Sequence, residues 1–502
     1  MIVTCEAVQT AEKRLFDSGV EAEPLMEDAG WGCANAIRQF CPRPGLAVLF
    51  VGKGNNGGDA LVVGRHLRRW GWHVQAQLAG EPEDMTELAA RKLAEFEAEE
   101  EFSGSADALS GPVIAVDGLL GIGARGPLRG EIGEMAAEMN AFREQEHART
   151  FAIDIPSGVD GDTGEPYPGA VVADVTLSIS AVKSGLIADQ SLDHVGRLVQ
   201  IAMTEITEAI KEDETEDAFV VDASWIAERL PRRDFSWHKG TAGRVTIVAG
   251  SRGLTGAARL ASLGALHGGA GLVTVFAHES IYEIVAASAP PEVMVKPTET
   301  LEELSGFDAD IIAAGPGLGA NPENAETLLR LMREETRPML LDADALNLLS
   351  REPGGLESFQ PQGPRLLTPH PGELARLLGG ELPAEKSRAA LALETVEECP
   401  ITLLFKGSRS ITAERGQPLA LNPTGHPGMA TGGIGDVLTG LCAALIAQGL
   451  SPFDAAAAGS WLIGRAAEIL LISGQASPES LSAGQIAENL GAAFDSVRAG
   501  AF

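Results

Sequence analysis

Apolar residues occur along the chain in short runs of strand length, separated by segments whose apolar positions have helical spacing. Residues 1–40 show the helical spacing, and the first short apolar run covers 46–51. A glycine-rich stretch follows, and a helix is predicted over 61–70. Further strands are predicted at 74–78, 113–116, 151–155 and 175–179. Strands that alternate with helices predict a mostly parallel sheet with helices on both faces.

This alternation is interrupted at residues 211–217, which read KEDETED. A run of charged residues without an apolar face is typical of an exposed linker, so we predict two domains, 1–214 and 215–502. The second part repeats the pattern, with strands predicted at 245–249, 272–276, 311–314, 339–341, 366–367 and 401–405. Helices are predicted between them, notably at 256–267 and 325–333, and a final one at 434–447. This pattern predicts a second, larger α/β domain.

Length and composition agree with this organisation. At ~100–200 residues per domain, a chain of 502 residues indicates two or three domains. We find no run of about 18 apolar residues and no signal-peptide core, and therefore expect a cytoplasmic protein without a membrane span. The five cysteines form no C-x-x-C pair, which favours free thiols over a zinc site or a disulfide framework.

The net charge of −32 argues against a nucleic-acid partner, because a phosphate backbone repels such a surface. Most basic residues are arginines, and an acidic surface poor in lysine fits a salt-rich cytoplasm. This property concerns solubility rather than function.

The first candidate site is the stretch GKGNNGGD at 52–59, between a predicted strand and a predicted helix. Its four glycines let the backbone approach a ligand closely, and the helix start offers unpaired N–H groups to a phosphate. The spacing differs from that of the dinucleotide fingerprint. A tight strand-to-helix turn rarely needs two asparagines and an aspartate as well, so we interpret the stretch as a ligand loop.

Two more loops follow predicted strands, DGLLGIGARGP at 117–127 and DIPSG at 154–158. Ligands of open α/β sheets bind beyond the carboxyl ends of the strands, so the three loops can converge on one site. Asn56, Asp117 and Ser157 offer only oxygen atoms, which suits a hard cation rather than zinc. Asp117 alone could instead cap a helix. Asp154 is a candidate acid or base.

These loops, with the continuation DIPSGVDGDTG, resemble the epimerase domain of bifunctional NAD(P)H-hydrate repair enzymes. The resemblance implies that this domain interconverts the two C6 epimers of hydrated NADH or NADPH and binds potassium through Asn56, Asp117 and Ser157. It also implies that Asp154 contacts the hydrate and transfers the proton. The residues implied to hold the hydrate are Asn55, Asn56, Gly57, Gly58, Asp59, Gly121, Ile122, Gly123, Ala124, Arg125, Gly126, Pro127 and Asp154.

Two positions depart from the pattern of that family. Ala60 stands where the loop commonly continues with glycine, and Ile122 stands where threonine is common. Both changes are small and touch the ligand loops, so they concern the epimerase rate rather than the identity of the domain.

The strongest signal is GHPGMATGGIGDVL at 425–438, directly before a long apolar helix. Gly432, Gly433 and Gly435 would open this helix, whose N–H groups and dipole bind a transferring phosphoryl group. Asp436 lies in the first turn and suits a base for a hydroxyl that attacks a terminal phosphate. The alternative is an aspartate that only complements the helix dipole. A glycine-rich helix start with one aspartate resembles ribokinase-like kinases.

Other loops surround this helix start. Residues 406–410, KGSRS, follow a predicted strand and offer cations and hydroxyls to a nucleotide. The loop GPGLG at 315–319 suits close approach of its backbone to a ligand. His370 in TPHPGE could instead be a capping or packing residue. Asp342 and Asp344 in DADALN place two carboxylates at a strand end. They would either bind water molecules of a magnesium ion or cap a helix.

The motifs HKG-x-x-G-R, AGS, GPGLG, DADALN, TPHPGE, KGS and GMATGGIGDVLTG closely resemble the dehydratase domain of the same family, in the family's order. The resemblance therefore covers nearly the whole chain. It implies that Gly317, His370 and Asp436 contact the hydrate. It implies an adenine nucleotide with Mg²⁺, bound by Lys406, Gly407, Ser408, Arg409, Ser410 and Gly435.

We therefore predict an α/β protein with an N-terminal Rossmann-like three-layer domain and a C-terminal ribokinase-like domain that together repair hydrated NAD(P)H. The main alternative is a ribokinase-like kinase of a vitamin or sugar alcohol fused to a nucleotide-binding domain. A non-enzymatic nucleotide sensor is the other, and the intact Asp436 argues against it. We expect NADHX, NADPHX and an adenine nucleotide, ADP or ATP, as partners, a homo-oligomer, and no nucleic acid or membrane.

Overall fold

The computed structural model describes residues 1–99, 111–212, 216–319 and 322–501 of the chain. The chain divides into two compact units, Met1–Val220 and Val221–Ala501. The boundary predicted between residues 214 and 215 falls within 213–215, outside the described residues, so the linker stays a prediction.

The first unit is an α/β domain whose main sheet contains six of its nine strands, all parallel. Its strands are β1 (Ile2–Val3), β2 (Leu46–Val51), β3 (His73–Leu78), β4 (Val113–Gly118), β5 (Arg149–Ile153), β6 (Val175–Ile179), β7 (Val182–Lys183), β8 (Arg197–Ile201) and β9 (Ala218–Val220). Its helices are α1 (Cys5–Asp17), α2 (Ala22–Phe40), α3 (Asn55–Arg69), α4 (Glu87–Ala98), α5 (Gly130–Gln145), α6 (Leu192–Val195) and α7 (Thr204–Lys211).

The 6-stranded sheet of this unit has the order β3-β2-β4-β5-β6-β8, and every neighbouring pair is parallel. Strand β2 is buried on both faces, as expected for a continuous apolar run in a parallel sheet. The chain leaves β2 for β3 on one side and then returns for β4 on the other. The carboxyl ends of β2 and β4 therefore form a topological switch point, where ligands of such sheets bind.

Glycine is required at this switch point because two backbones meet there. The N–H of Gly52, after β2, donates to the carbonyl of Gly118, in β4, at 3.0 Å. A Cβ on Gly52 would lie 1.9 Å from the carbonyl oxygen of Leu119, and one on Gly57 would lie 2.0 Å from the carbonyl oxygen of Gly52. No side chain fits either position without moving backbone.

The predicted strands of the first unit are all present, whereas the helix predicted over 61–70 begins earlier, at Asn55. Half of the supposed glycine-rich loop is thus the first turn of α3. The sequence did not predict β1, β7, β8 and β9. β1 and β7 have two residues each and pair with one another in a separate parallel sheet, so neither has a readable periodicity.

The second unit is also an α/β domain. Its strands are β10 (Arg244–Val248), β11 (Leu272–His278), β12 (Val293–Thr298), β13 (Ile311–Ala314), β14 (Met339–Leu341), β15 (Arg365–Leu367), β16 (Thr402–Phe405), β17 (Ile411–Glu414) and β18 (Leu419–Leu421). Its helices are α8 (Ala223–Arg229), α9 (Thr255–His267), α10 (Tyr282–Ser288), α11 (Pro322–Glu334), α12 (Asp344–Leu349), α13 (Pro371–Leu377), α14 (Arg388–Glu398), α15 (Ile434–Ala447), α16 (Pro452–Ile472), α17 (Ala483–Glu488) and α18 (Leu490–Arg498).

The strands of this unit lie in the order β12-β11-β10-β13-β14-β15-β16-β17-β18. Pairing is parallel from β12 to β16 and antiparallel for β17 and β18. The sequence predicted the central parallel strands and missed β12, which carries a lysine and a proline, and the short antiparallel pair. The direction of travel reverses between β10 and β13, which places a second switch point at their carboxyl ends.

Helix α15 has the predicted bounds, but it is not the final helix, because α16 to α18 follow it. Among the described residues, α16 is the one helix long and apolar enough to cross a membrane by length and composition. It is 83% buried within the protein over its apolar window, and it carries the buried ion pair of Arg465 and Glu468 at 3.1 Å.

We predict that fragments 1–213 and 216–502 fold separately, since the 6-stranded sheet lies wholly in the first fragment and the 10-stranded sheet wholly in the second, each with its own buried apolar side chains. Each fragment is expected to unfold in one cooperative thermal transition, followed by circular dichroism. If both fragments were unfolded while the full chain was stable, the two units would not be independent.

Candidate active sites

The first candidate site is a network of hydrogen bonds at the switch point of the first unit. The buried carboxylate of Asp117, in β4, accepts from the hydroxyl of Ser157 and from its backbone N–H, both at 2.7 Å. The Ser157 hydroxyl oxygen accepts from the N–H of Leu120 at 3.0 Å. The Asn56 amide, in the first turn of α3, donates to the carbonyl of Leu120 at 2.9 Å. The structure thus brings together the three residues that the sequence singled out as oxygen ligands.

Asp117 is fully buried, and burial raises its pKa to about 6, although the hydrogen bonds from Ser157 and Leu119 lower it. None of the ion pairs among the described residues involves Asp117. The network therefore contains a buried carboxyl group without a cationic partner. The oxygens of Asp117, Asn56 and Ser157 together suit a cation that prefers hard oxygen ligands.

The two predicted substrate loops lie on either side of this network. Gly121 lies beside Asn56, since a Cβ on the glycine would be 3.5 Å from the Asn56 side-chain oxygen. A small cavity opens between the loop that contains Gly121, Ile122, Ala124 and Gly126 and the stretch from Ile155 to Val159. Arg125 is exposed and lies 3.9 Å from Asp162.

The remaining predicted substrate residues belong to the start of α3 or to the outer loop. In α3, Asn55 is exposed, Asn56 to Gly58 are buried and Asp59 is half-buried. In the outer loop, Gly123 and Pro127 are exposed.

Asp154 follows β5 and has a positive φ of 67°, which is rare for a residue with a side chain. It is buried and forms an ion pair with Lys183, in β7, which is 1% exposed. Lys183 also donates to the carbonyl of Ile179 at 2.8 Å and to the hydroxyl of Ser178 at 3.5 Å. The backbone N–H of Ile179 donates to Asp154 at 3.2 Å.

Further acidic groups face this ion pair. Burial, with the negative charges of Asp154 and Glu12, raises the pKa of Asp59 well above its usual value. Burial and the charge of Asp154 also raise the pKa of Glu12, in α1, while Lys183 lowers it. The site therefore contains a carboxyl group with a raised pKa, Asp59, beside the carboxylate of Asp154, which is paired with an ammonium.

The second candidate site is the start of α15. Gly433 precedes the helix with a φ of +92°, and a Cβ there would lie 2.4 Å from Leu260. Glycine is thus needed for the backbone to enter the helix. Asp436 is half-buried in the first turn, where unpaired N–H groups bind anions. Burial and the charge of Asp342 raise its pKa to about 6, although Lys406 lowers it.

Lys406 links this helix start to the neighbouring strand ends. Its ammonium donates to the buried Asp342, which follows β14, at 2.7 Å, and it lies 3.9 Å from Glu373. Burial lowers the pKa of Lys406, but the charges of Asp342, Glu373 and Asp436 together raise it. A Cβ on Gly435 would lie 3.4 Å from the Lys406 nitrogen, so the ammonium is adjacent to the helix N-terminus.

The predicted nucleotide loop 406–410 is clamped by an arginine from α14. Arg388 donates to the carbonyls of Phe405, Lys406 and Arg409 at 3.3, 3.2 and 3.0 Å. Gly407 and Ser408 are exposed, whereas Arg409 and Ser410 are buried. Gly407 and Ser408 thus present the accessible part of the loop.

His370 is a helix cap in this structure, which was the structural alternative for it. Its Nδ1 accepts from the N–H groups of Gly372 and Glu373 at 3.0 and 3.3 Å, and Glu373 accepts in return from the N–H of His370 at 2.9 Å. The side chain is 51% exposed, so its other face stays accessible to a ligand. Capping and ligand binding are compatible here.

Asp342 and Asp344 are both engaged by protein groups. The second oxygen of Asp342 accepts from the hydroxyl of Thr439 at 2.8 Å. Asp344 accepts from the N–H of Gly319 at 2.7 Å and from Asn347 at 3.3 Å. Each of the four carboxylate oxygens thus already accepts a hydrogen bond from the protein, and no group of three or more potential metal-ligating side chains is found in the described part of the chain.

The loop with Gly317 lines the second switch point. Gly317 has a φ of +59°, and a Cβ there would lie 2.8 Å from Ala257. Beside it, a cavity of about 630 Å³ opens over the ends of β10, β11, β12 and β13. Its wall includes Ser251, Leu318, Gly319 and Asp344. The cavity is of the size that accommodates part of a dinucleotide.

Lys183, Arg388 and Thr439 were not singled out from the sequence. Lys183 and Arg388 lie outside the quoted motifs and act on Asp154 and on the loop 406–410. Thr439 lies within GMATGGIGDVLTG, but its contact with Asp342, 97 residues away, is not a local signal. For Lys183 the only signal is its rarity, since the chain has few lysines and Lys183 is fully buried.

Both units match known families. Residues 22–185 match the family described as YjeF-related protein N-terminus, and residues 245–488 match NAD(P)H-hydrate dehydratase. The bifunctional NAD(P)H-hydrate repair enzyme Nnr of Moorella thermoacetica is 36% identical over 471 residues, which cover 88% of this chain and 87% of that protein.

Two solved structures resemble the second unit. A ribokinase-like superfamily protein from Enterococcus faecalis is 26% identical with a TM-score of 0.50, over 57% of this chain and 98% of its own. The ADP/ATP-dependent NAD(P)H-hydrate dehydratase of Bacillus subtilis, co-crystallised with ATP and Mg²⁺, is 29% identical with a TM-score of 0.49. The match covers 55% of this chain and 97% of the Bacillus subtilis chain.

Proposed function

The chain belongs to the family of bifunctional NAD(P)H-hydrate repair enzymes, and from this premise we propose how its residues divide the repair between two sites. The first unit is the NAD(P)H-hydrate epimerase and the second is the ADP/ATP-dependent dehydratase. The epimerase equilibrates the R and S hydrates at C6, and the dehydratase returns the S hydrate to NAD(P)H. The observation that carries the proposal is that each unit places its motif residues at or after the carboxyl ends of the parallel strands of its own sheet, with Asp436 at the adjacent start of α15.

In the epimerase site, Asp154 exchanges a proton with the C6 hydroxyl of the hydrate. Its position supports this role, since it follows β5 and the next residue, Ile155, lines the cavity together with Gly121, whose loop would hold the hydrate. Its unusual backbone conformation supports it too, because strain of this kind concentrates at active sites.

Potassium binds at Asn56, Asp117 and Ser157 in this proposal. A monovalent cation would supply the positive charge that the buried Asp117 lacks among the described residues, and the three side chains offer a single formal negative charge. When bound, potassium would order the loops on both sides of the network through electrostatic attraction. The side chains of Asn56 and Ser157 already converge on Leu120, which supports the same arrangement.

In the dehydratase site, Asp436 removes the proton of the C6 hydroxyl, and the hydroxyl oxygen attacks the terminal phosphorus of the nucleotide. The N–H groups at the start of α15 and the Lys406 ammonium stabilise the negative charge on the transferring group. The lone pair of the ring nitrogen then expels phosphate from C6, and loss of a proton from C5 forms the double bond of NAD(P)H. Gly317 and His370 would contact the hydrate.

The nucleotide is bound by the loop Lys406–Ser410 and by Gly435 in this proposal. The loop is held in place because Arg388 donates to the carbonyls of Lys406 and Arg409 in the loop and to that of Phe405 before it. Lys406 is also adjacent to Gly435, so the two proposed nucleotide-binding segments lie side by side. Magnesium would be held mainly by the nucleotide phosphates and water, since Asp342 and Asp344 are engaged.

Asp436→Asn is expected to lower dehydratase kcat by ~10²–10⁴-fold, the usual contribution of a positioned base. In the unaltered protein, kcat/KM should fall as the pH drops through about 6, because Asp436 must be ionised to act as a base. The readout is the absorbance of the reduced nicotinamide formed from the S hydrate. The control is Asp495→Asn, which removes the charge of an exposed acid in α18. If Asp436→Asn kept more than roughly a tenth of the original turnover, Asp436 would not be the base.

Replacing potassium by a bulky organic cation at the same ionic strength is expected to slow epimerisation or weaken binding of the hydrate, and to leave dehydration of the pure S hydrate unchanged. The two epimers are separated by chromatography to follow the first reaction. Equal rates and affinities in both salts would count against the potassium site.

Asp154→Ala is expected to make repair of a mixed R and S hydrate biphasic. The S share should recover at the original rate, and the rest only as fast as the epimers interconvert without catalysis. Addition of a second protein that carries an intact first unit and Asp436→Asn should restore one phase, since the hydrate diffuses between molecules. A single phase with Asp154→Ala alone would disprove the assignment of Asp154.

A further inference from the structure

The ion pair between Asp154 and Lys183 is the one feature of the first site that no motif accounts for. All three hydrogens of the Lys183 ammonium have acceptors: Asp154, the carbonyl of Ile179 and the hydroxyl of Ser178. The side chain is 1% exposed. Lys183 is therefore held in one place and cannot itself reach a substrate.

The contacts of Asp154 leave one of its oxygens available. Both Lys183 and the N–H of Ile179 donate to Oδ1. No described residue donates to Oδ2. The carboxylate is thus oriented by one oxygen, while the other has no protein donor within the described part of the chain.

The backbone fixes both partners. Lys183 belongs to β7, whose register with β1 sets Val3 beside Lys183. Asp154 has its N–H bonded to the carbonyl of Leu177 at 2.8 Å, and its φ is 67°. Ser180, between β6 and β7, also has a positive φ, of 63°. The chain adopts uncommon conformations on both sides of the ion pair.

Negative and neutral groups from several elements face this pair. Cys5 and Glu12 belong to α1, Cys33 to α2, Asp59 to α3, and Asp162 contacts Cys5. Lys183 is the positively charged residue whose electrostatic effect reaches Cys5, Glu12 and Cys33; the other charged residues that act on them, within the described part of the chain, are acids. Without Lys183, the carboxylate of Asp154 would lie among acids and thiols in a buried environment, with the N–H of Ile179 as its remaining donor among the described residues.

We propose that Lys183 is a positioning residue of the epimerase, which pairs with Oδ1 of Asp154 and orients the carboxylate so that Oδ2 acts as a base on the C6 hydroxyl. This inference rests on the proposed epimerase function. Oδ2 takes the hydroxyl proton as the C6–N1 bond opens, which leaves an aldehyde at C6 and the electron pair on N1. Reclosure on the other face returns the proton from Asp154, so atoms and charges balance and no other reactant is consumed.

The test compares Lys183→Met with Lys183→Arg in the full chain, and epimerisation is followed by chromatographic separation of the two hydrates. In Lys183→Met, kcat is expected to fall by about 10–100-fold while KM changes by less than about 3-fold, because the hydrate is bound by other residues. The acid side of the pH–rate profile should move to higher pH, since a carboxylate among acids is no longer stabilised. Lys183→Arg keeps the charge and should return that side of the profile towards its original position.

Lys92→Met is the matched control. Lys92 is likewise buried, at 2% exposed, and it pairs with Glu23, Glu27 and Glu95 in the same unit. Its loss should lower the thermal stability of the protein and leave the epimerase pH profile unchanged.

An unshifted pH profile in folded Lys183→Met, or an equal loss of kcat in Lys92→Met, would overturn the proposal. If Lys183→Met does not fold, Lys183→Gln is measured by the same criteria. The dehydratase activity of each variant reports whether the second unit is intact. Absence of epimerase activity in the unaltered protein would instead refute the proposed function, so the two failures are distinguishable.

Discussion

Both sites depend on aspartates buried at the carboxyl ends of parallel strands. A buried carboxylate is costly unless it is paired or hydrogen-bonded, and the chain meets this cost in three ways. Asp117 accepts from a hydroxyl and from backbone N–H groups, Asp154 pairs with Lys183, and Asp342 pairs with Lys406 and Thr439. Removal of one partner leaves a charge unpaired in a low-dielectric environment. The partners are therefore as important to the geometry of each site as the aspartates themselves.

The topology of the sheets explains why these aspartates are close to the ligand loops. In each unit the chain crosses from one side of its first central strand to the other, and the loops from both sides meet at that place. The meeting is possible only with glycine at Gly52 and Gly57, where a Cβ would collide with backbone. The glycine-rich motifs are thus a requirement of the crossing as well as of ligand binding.

Features that depend on neighbouring residues in the chain could be predicted from the sequence, whereas individual contacts between residues far apart in the chain could not. Strand β2 and helix α15 were predicted with their observed bounds, because a continuous apolar run and a glycine-rich helix start are local signals. The convergence of Asn56, Asp117 and Ser157 was predicted from strand ends alone, and the structure brings them together. The pairing of Lys183 with Asp154 and of Lys406 with Asp342 could not be predicted, since 29 and 64 residues separate the partners. Register between distant strands decides which lysine meets which acid.

The two sites use their lysines in opposite ways, and the difference fits their chemistry. Lys183 binds the proposed proton acceptor of the first site directly and so orients it before a substrate arrives. Lys406 instead donates to Asp342, and Asp436 keeps a pKa raised to about 6. A direct pair of Lys406 with Asp436 would make that aspartate a weaker base and would withdraw the ammonium from the phosphoryl group. By binding Lys406, Asp342 keeps a positive charge beside Gly435 and leaves Asp436 available to the hydroxyl that must be activated.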